Sequence, residues 1–410
     1  MKSIRFISIL FLMALMVLST QQVQAQRKGA VNKPAASSSQ SRKPAATNKP
    51  SSSRRSSGRR STSKPASKPA SVPASTPASP ESALTGEAKL YYNPAMAGEV
   101  DAQYNLGRCY YYGTFGVAEN GTEAVRWLQK AADKNHCAAV YNLALCYEDG
   151  FGVGESQSAA DRLYNKAYNI ALQQAEQGSP MAMTVLAWIY DNGCGSVEQN
   201  KTLAVEWYSK AAQKGYAPAQ FDLACCYHDG DGVASNPAKA IEWLTRSAEQ
   251  GYSKAQDLLG DCYSEGDVVE QDDFEAVRWY RKAAENGNCF SQYSLGDCYY
   301  YGNGVSQSYT EAAKWYRKAA LQEYADAQND LGHCYEEGYG VQQSDRLAYE
   351  WYLKAAENGM ALAQKNVGLC YWNGEGVRRD EDKAIMWWQR AARQGNEKAQ
   401  EYLEEEGYGW

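Results

Sequence analysis

The chain has 410 residues, 44% of them hydrophobic, and a formal net charge of −6. This length suits two or three ordinary domains or one solenoid of repeats. The charge is unevenly distributed, because residues 27–80 hold 12 Lys and Arg and no acidic residue, whereas residues 81–410 carry a net −20. This asymmetry excludes a uniformly charged surface and is typical of a charged tail or spacer joined to an acidic body.

The first 25 residues have the pattern of an export signal. Two basic residues precede an apolar run from Phe6 to Leu18, and small side chains follow at Val23 and Ala25. The run is shorter than the roughly 20 residues that span a bilayer, and no cysteine lies near the cleavage point. We expect a signal peptide over residues 1–25, cleaved on export to the periplasm or the cell exterior, with an uncleaved anchor as the alternative. No later segment is apolar enough to be transmembrane.

Residues 26–85 are rich in Ser, Pro, Ala, Lys and Arg and contain no aromatic side chain. Such a composition predicts a disordered linker in which the prolines favour extended stretches. We interpret it as a spacer between the cell surface and the folded body. The alternatives are contact with an anionic polymer, including cell wall or glycan, and contact with the acidic body of the same chain. No nucleic acid partner is expected, because the cations are scattered among prolines without stacking aromatics.

From residue 86 onward the sequence repeats itself. The motif Ala-Gln-x-x-Leu-Gly-x-Cys-Tyr, complete or degenerate, begins at positions 102, 139, 182, 219, 255, 291, 327 and 363, and a truncated ninth copy begins at 399. Each of the first eight copies is followed by a second motif, Ala-x-x-Trp-Tyr-x-Lys-Ala-Ala, complete or degenerate, as at Ala276 to Ala284. A fixed period near 36 residues is the signature of a solenoid.

The spacing within one repeat predicts two antiparallel helices. In the first motif, Ala, Leu, Cys and Tyr at offsets 0, 4, 7 and 8 share one helical face, and the small Gly at offset 5 lets a neighbouring helix approach closely. A Tyr-x-x-Gly-x-Gly-Val turn joins the two helices, and its first Gly suits a left-handed helix end. The second-motif helix near Leu163 to Gln177 is longer by about two turns, which we interpret as a bend or a contact. We therefore expect an all-α superhelix of about eight and a half repeats over residues 86–410.

These motifs resemble the Sel1-like repeat family, which is related to tetratricopeptide repeats. The resemblance covers roughly residues 86–404 and rests on the period, the Leu-Gly-x-x-Tyr and Trp-Tyr-x-Lys-Ala-Ala motifs and the Gly-x-Gly-Val turn. It implies a right-handed α-α superhelix that serves as an adaptor. Members in bacterial envelopes act as scaffolds or regulators that recruit other proteins, so the resemblance implies a similar role for this chain.

No motif indicates catalysis. The Gly-x-Gly turns follow helices and recur in most repeats, whereas a phosphate-binding loop follows a strand and occurs once. The three histidines, His136, His228 and His333, belong to different repeats, and we find no Asp, Glu or Cys set at ligand spacing beside them. We expect a protein that is not an enzyme and holds neither metal nor cofactor.

The positions of the eleven cysteines favour buried free thiols over disulfides. Equivalent positions in neighbouring repeats lie about 8–10 Å apart, beyond the roughly 7 Å that a disulfide allows. The resemblance implies that in a cysteine-rich branch of the family a disulfide joins a Cys at the end of the second helix to a Cys near the start of the next repeat. Cys137 and Cys289 lack such a partner in the preceding helix. For Cys194 and Cys225 the sequence leaves both a free thiol and a disulfide open. Seven cysteines share one position in the first motif: Cys109, Cys146, Cys226, Cys262, Cys298, Cys334 and Cys370.

Offsets 2, 6 and 9 of the first motif point away from the core face, towards the expected concave surface. Aromatic side chains among carboxylates suit a protein or peptide partner with basic residues, so we predict an interaction scaffold. Stacking of these aromatics on sugars is the alternative and would indicate a carbohydrate or cell-wall binder; some tyrosines could simply pack between repeats. The candidate partner-binding residues are Tyr104, Arg108, Tyr111, Tyr141, Trp188, Phe221, Asp261, Tyr293, Asp297, Tyr300, His333 and Trp372.

Overall fold

The computed structural model describes residues 84–113 and 116–410. The signal peptide predicted over residues 1–25, and all but the last two residues of the linker predicted over 26–85, lie outside the described residues. Across the described residues, the regular elements are all α-helices. None of these helices combines the length and the apolar character needed to cross a membrane.

The helices alternate between the first motif, which forms the A helix of each repeat, and the second, which forms the B helix. A leading helix, α1, precedes the first repeat, and the A helices carry even numbers. The bounds are α1 Gly86–Ala97, α2 Val100–Tyr112, α3 Gly121–Ala132, α4 Cys137–Asp149, α5 Gln157–Glu176, α6 Pro180–Asn192, α7 Lys201–Gln213, α8 Ala217–Asp229, α9 Pro237–Glu249, α10 Ser253–Glu265, α11 Asp273–Glu285, α12 Cys289–Tyr301, α13 Tyr309–Ala320, α14 Ala325–Glu337, α15 Asp345–Glu357, α16 Ala361–Asn373, α17 Glu381–Arg393 and α18 Glu397–Glu405.

The helix ends follow the local sequence. Each A helix from α2 to α16 ends at a glycine in the left-handed conformation, such as Gly302 with φ 81°, which confirms the expected role of the first turn glycine. The B helix then begins with a polar cap, as where the Ser308 side chain accepts a hydrogen bond from the Glu311 amide. Helix α5 has 20 residues, whereas α7 has 13, and the predicted longer helix is thereby confirmed.

In the fifth to eighth repeats, the glycine at offset 5 receives an aromatic ring of the B helix. A Cβ atom on Gly296 would lie 2.6 Å from the ring of Tyr316, and one on Gly260 would lie 2.6 Å from the ring of Tyr280. Those distances are shorter than any real Cβ contact, so only glycine lets the two helices approach this closely. The same small residue thus sets the distance between the A and B helices.

Successive repeats are joined by the turns and by a row of amide side chains. A Cβ atom on Gly340, the second turn glycine, would lie 2.1 Å from the backbone oxygen of Tyr309, so the turn packs directly on the preceding B helix. The Gln328 side chain donates to the Ala320 oxygen at 3.2 Å and accepts from Asn358 at 3.1 Å. These bonds satisfy carbonyl groups at the end of each B helix.

The structure also brings distant parts of the array together, since α1 and the first repeat contact the fifth repeat and the loops that follow the fifth and sixth repeats. The Gly116 amide donates to Gln322 Oε1 at 2.7 Å. A Cβ atom on Gly86 would lie 2.6 Å from the backbone oxygen of Asn286. The Lys254 Nζ atom lies 4.0 Å from the centre of the Tyr112 ring. The array therefore packs on itself as well as from neighbour to neighbour.

All eleven cysteines, Cys194 and Cys225 among them, are free thiols in this structure. Six of the seven at the common A-helix position are buried, and Cys262 is half-buried. Burial raises the pKa of Cys334 to about 12, so this thiol stays protonated at neutral pH and packs as a small apolar group.

Candidate functional site

The predicted partner-binding residues lie along the A helices, and ten of the twelve are half-buried. Tyr104 and Tyr141 are the exceptions, because they are only 3% and 5% exposed and belong to the hydrophobic core. Their burial corrects the expectation that they lie on an accessible surface. Tyr104 is covered because the His136 ring stacks on it at 4.6 Å. Tyr141 packs between Tyr164 and Trp188, with ring centres 5.4 Å away in both cases.

The predicted carboxylates Asp261 and Asp297 are bonded within their own repeats. Asp297 accepts a hydrogen bond from the Tyr316 hydroxyl at 2.6 Å, and Asp261 accepts one from Tyr280 at 2.7 Å. Burial, together with the charge of Asp257, raises the pKa of Asp261. These carboxylates brace the A helix against the B helix, so part of their bonding capacity is used inside the repeat.

A second set of bonds links one A helix to the next through offset 3, which the sequence analysis missed. Trp188 Nε1 donates to Asp222 at 2.8 Å, and the Tyr293 hydroxyl donates to Asp330 at 3.0 Å. Burial raises the pKa of Asp222 to about 7, against the opposing effects of the Trp188 hydrogen bond and the nearby Lys254 charge. A carboxylate at offset 3, facing an aromatic donor one repeat earlier, was the signal that could have revealed these pairs.

The remaining predicted residues also have partners. The Tyr111 hydroxyl donates to Asp149 at 2.9 Å, and the Phe221 ring meets Tyr252 with 5.6 Å between centres. The Trp372 ring packs at 5.2 Å from Trp388, and Arg108 lies 5.9 Å from the Tyr104 ring centre. The alternative that some tyrosines simply pack between repeats therefore describes Tyr111, whose partner Asp149 lies in the next repeat.

One group of aromatics, which we call the tyrosine cluster, reaches the surface where A and B helices turn. It consists of Tyr300, Tyr301, Tyr309 and Tyr339. Tyr301 is 48% exposed and Tyr309 is 36% exposed. Only Tyr300 was predicted, because the other three lie at the helix end, at the next helix start and in a turn, outside offsets 2, 6 and 9. Exposed aromatic side chains packed together in this way suit a binding surface.

His333, another predicted residue, lies beside this cluster with two glutamates. His333, Glu336 and Glu337 offer ligand atoms that all lie within 4.8 Å of one another, which corrects our expectation that no such set accompanies a histidine. Glu336 accepts from the Tyr352 hydroxyl at 2.7 Å. Its hydrogen bond with His333 lowers the pKa of Glu336 and raises that of His333. The imidazole and carboxylates could hold a divalent cation, but exposed acidic groups often come this close without one.

The long helix α5 borders an open groove of about 640 Å³. Amides dominate its lining, with two basic side chains and one isoleucine and with no carboxylate or aromatic ring. Amide groups offer both donors and acceptors, so this groove suits a polar ligand rich in hydroxyl or carbonyl groups. Its lining residues are Asn135, Arg162, Asn165, Lys166, Asn169, Ile170, Gln173, Gln174 and Gln177.

Comparison with known families and structures confirms the repeat assignment made from the sequence. The family model described as Sel1 repeat matches eight segments, at residues 100–136, 137–169, 180–216, 217–252, 253–288, 290–324, 325–360 and 361–396. The described helices place one A–B pair within each of these segments, apart from the end of the long α5 and the first residue of α12. The all-α repeat architecture is thereby confirmed.

Two solved structures are similar to this chain over most of its length. One is a protective antigen of uropathogenic Escherichia coli strains that displays an SLR fold, at 34% identity and a TM-score of 0.54, covering 77% of this chain and 66% of that chain. The other is a Sel1 repeat protein from Oxalobacter formigenes, at 29% identity and a TM-score of 0.51, covering 77% of this chain and 89% of that chain.

A curated relative is similar over a shorter stretch. The chitin synthase regulator SKT5 of Saccharomyces cerevisiae is 32% identical over 139 residues, which cover 32% of this chain and 19% of that protein. The match therefore spans about a fifth of the relative's length.

Proposed function

The chain belongs to the Sel1 repeat family, and we propose that it is a non-catalytic scaffold that binds other proteins in the bacterial envelope or outside the cell. The observation that carries this proposal is the tyrosine cluster, an exposed aromatic surface held on an array of packed repeats. Rigid aromatic groups bind with little loss of conformational entropy, which suits recognition of a protein partner. The relative SKT5, itself named as a regulator, supports a role in recruitment.

The charge of the repeats favours a partner with basic residues. Residues 81–410 carry a net −20, and Glu336 and Glu337 lie beside His333, whose ring meets Tyr339 with 5.8 Å between centres. Acidic groups near an exposed aromatic patch speed association with a basic surface and disfavour an acidic one. The export pattern in residues 1–25 supports a location beyond the cytoplasmic membrane.

The test is capture of proteins by the full chain after cross-linking in the cells that produce it, followed by mass spectrometry. We expect a defined set of envelope proteins, and we expect their recovery to fall at least tenfold with the double substitution Tyr301→Ser and Tyr309→Ser. Tyr408→Ser is the matched control, because Tyr408 is 47% exposed but lies in the C-terminal tail. Equal recovery with both variants, or recovery of glycan alone, would contradict the proposal.

Carbohydrate binding is a second candidate, favoured by the amide-lined groove along α5. Amide side chains pair well with sugar hydroxyls, although the groove lacks an aromatic ring for stacking. Binding of purified cell-wall polysaccharide, measured by calorimetry, should be lost with Asn169→Leu and Gln173→Leu if this candidate holds. Retention of binding in that variant would exclude the groove as the glycan site.

A further inference from the structure

We propose that the groove along α5 is a second docking surface, which takes an extended peptide segment of a partner with acidic side chains at alternate positions. The groove belongs to the second repeat, whereas the tyrosine cluster belongs to the sixth and seventh. Failure of this proposal would therefore leave the scaffold function of the tyrosine cluster standing. A neutral glycan in the same groove would need its amides but not its two cations, which separates the two ligands by experiment.

Helix α5 carries the groove because it continues beyond the length of the other B helices. It has 20 residues, whereas the other seven B helices that pair with an A helix in their repeat have 12 or 13. The inner face of its second half stays buried at Ala167, Ala171 and Ala175. Gln174 Nε2 donates to the backbone oxygen of Asn135 at 3.3 Å, so the added turns lie against the loop after α3. The outer face of the helix is thereby held in place as the wall of the groove.

Lys166, on that outer face, lacks the ring that the equivalent cations cover. In the other seven B helices the cation at this motif position lies 3.5 to 4.6 Å from the ring centre of the Trp three residues earlier, as Lys318 does over Trp315. In α5 the Trp position holds Leu163. Because Leu163 has no π face to attract a cation, Lys166 is exposed and lines the groove.

Arg162, one turn earlier, lacks its usual partner as well. In the three other B helices with a cation at this position, a Glu three residues earlier pairs with it, as Glu275 does with Arg278 at 2.9 Å. In α5 that position holds Ala159. Among the described residues, neither Arg162 nor Lys166 makes a hydrogen bond, an ion pair or a ring contact. Two neighbouring cations are thus available to an anionic ligand.

The amides beyond the cations match the backbone of an extended peptide. Asn169, Gln173 and Gln177 lie four residues apart, which is about 6 Å along a helix. Two residues of an extended chain advance by about 6.6 Å. Each amide can donate to a backbone oxygen and accept from a backbone N–H, and within the described part of the chain none of the three makes a side-chain hydrogen bond. The row therefore fits every second residue of an extended segment.

The charges in and near the groove set the side chains of that segment. Arg162 and Lys166 are also four residues apart, so they face alternate positions of the same extended chain. Carboxylates there would satisfy both cations, and no carboxylate lines the groove to repel them. Glu176 is exposed near the other end of α5 and disfavours acidic side chains beside Gln177. No aromatic ring lines the groove for a sugar to stack on, which favours a peptide over a glycan.

The first experiment measures the affinity of the full chain for a dye-labelled peptide, Thr-Glu-Thr-Glu-Thr-Thr-Thr with both ends blocked, by fluorescence anisotropy. Its length suits the groove, because the distance from Arg162 to Gln177 is about 22 Å, or about seven extended residues. We expect the double substitution Arg162→Gln and Lys166→Gln to weaken binding at least tenfold. About 0.5 M NaCl should weaken binding to the unmodified chain similarly, because salt screens the attraction.

The matched control is Arg278→Gln with Lys282→Gln. It removes the same two side chains at the equivalent positions of α11, where Glu275 and Trp279 engage them. This variant should keep the affinity of the unmodified chain. An equal loss in both double variants would show attraction by net charge alone and would overturn the proposal, as would a failure of the unmodified chain to bind the peptide.

The second experiment restores the missing ring while it keeps every charge. Leu163→Trp should place an indole beneath Lys166, as in the other B helices, and weaken peptide binding at least threefold. Unchanged affinity would contradict the release of Lys166 by Leu163. A peptide N-methylated at its last three residues, which lacks the backbone N–H groups for the amides, should bind the unmodified chain at least fivefold more weakly.

A competition with neutral cell-wall polysaccharide separates the two ligands of the groove. We expect the polysaccharide to leave the peptide bound. Displacement of the peptide, together with equal polysaccharide binding by the unmodified chain and the Arg162→Gln and Lys166→Gln variant, would assign the groove to sugars and overturn the proposal.

Discussion

The backbone amide of Gly116 donates a 2.7 Å hydrogen bond to Oε1 of Gln322, a residue 206 positions further along the chain. Gln322 also donates through Nε2 to Gln292 at 2.8 Å, so one side chain joins the amide row to the first repeat. A solenoid whose repeats touch only their neighbours would unfold locally at its ends. This bond instead ties the N-terminal repeat to the middle of the array.

Removing this hydrogen bond should destabilise the first repeat more than the other repeats. We expect Gln322→Leu to speed amide hydrogen exchange in residues 84–119, because it leaves the buried Gly116 amide without its acceptor. The free energy of local opening of this part of the chain should fall by about 1–3 kcal/mol. Exchange followed by mass spectrometry on the full chain gives the comparison.

Gln394→Leu is the matched control, since Gln394 makes the equivalent bond to Gln364 at 2.8 Å far from the first repeat. It should leave exchange in residues 84–119 unchanged. Equal protection of the N-terminal repeat in both variants would mean that Gln322 contributes nothing to its docking.

The close approach of A and B helices gives a second prediction. Gly296→Ala should lower the free energy of unfolding by about 1–3 kcal/mol, because the new methyl group would lie 2.6 Å from the Tyr316 ring. Gly154→Ala provides the control, since a Cβ atom there meets nothing within 4 Å. Urea denaturation of the two variants should show a lower unfolding free energy for Gly296→Ala than for Gly154→Ala. Equal unfolding free energies would show that the Tyr316 ring can move aside.

The fold could be predicted from the sequence because its determinants are local and repeated. A period of 36 residues, a helical face of Ala, Leu, Cys and Tyr and a glycine at a helix end each constrain a few neighbouring residues. Gly302 and Gly338 adopt the left-handed conformation that their turn position predicts. Even the longer α5 was visible as extra residues between two motifs.

The surface was harder to predict because exposure depends on contacts between distant residues. Tyr104 and Tyr293 share offset 2, yet Tyr104 is buried beneath His136, whereas Tyr293 is half-buried and bonded to Asp330. Tyr301 and Tyr309 became candidates only when the structure brought them together. The bond from Gly116 to Gln322 has no local sequence signal at all.

The brace between Tyr316 and Asp297 gives a third prediction, which separates a structural role for Asp297 from a binding role. A double-mutant cycle of Tyr316→Phe and Asp297→Ala should show a coupling of about 1–2 kcal/mol in unfolding free energy, because the two side chains share a 2.6 Å hydrogen bond that either substitution removes. Additive effects would mean that the bond contributes little to the stability of the repeat.

The pair of Trp188 and Asp222 predicts a pH dependence. Burial raises the pKa of Asp222 from an ordinary 3.8 to about 7, so between these values the folded chain binds a proton that the unfolded chain releases. The Asp222 contribution to stability is therefore largest at low pH and is lost as pH rises towards 7. Asp222→Asn cannot ionise and still accepts from Trp188 Nε1, so its advantage over the unmodified chain should grow from pH 4 to pH 7 and then level off.

Urea midpoints measured at intervals between pH 4 and pH 8.5 test this dependence. Lys254→Met provides a companion variant with a predictable direction, because the positive charge of Lys254 lowers the pKa of Asp222. Without that charge the pKa of Asp222 should rise further, and the pH at which the curves level off should move upward. The neighbouring Asp191 has the opposite influence, so Asp191→Asn should move it downward. A constant difference between Asp222→Asn and the unmodified chain across this range would show that Asp222 is ionised throughout, and that solvent reaches its carboxylate in the folded state.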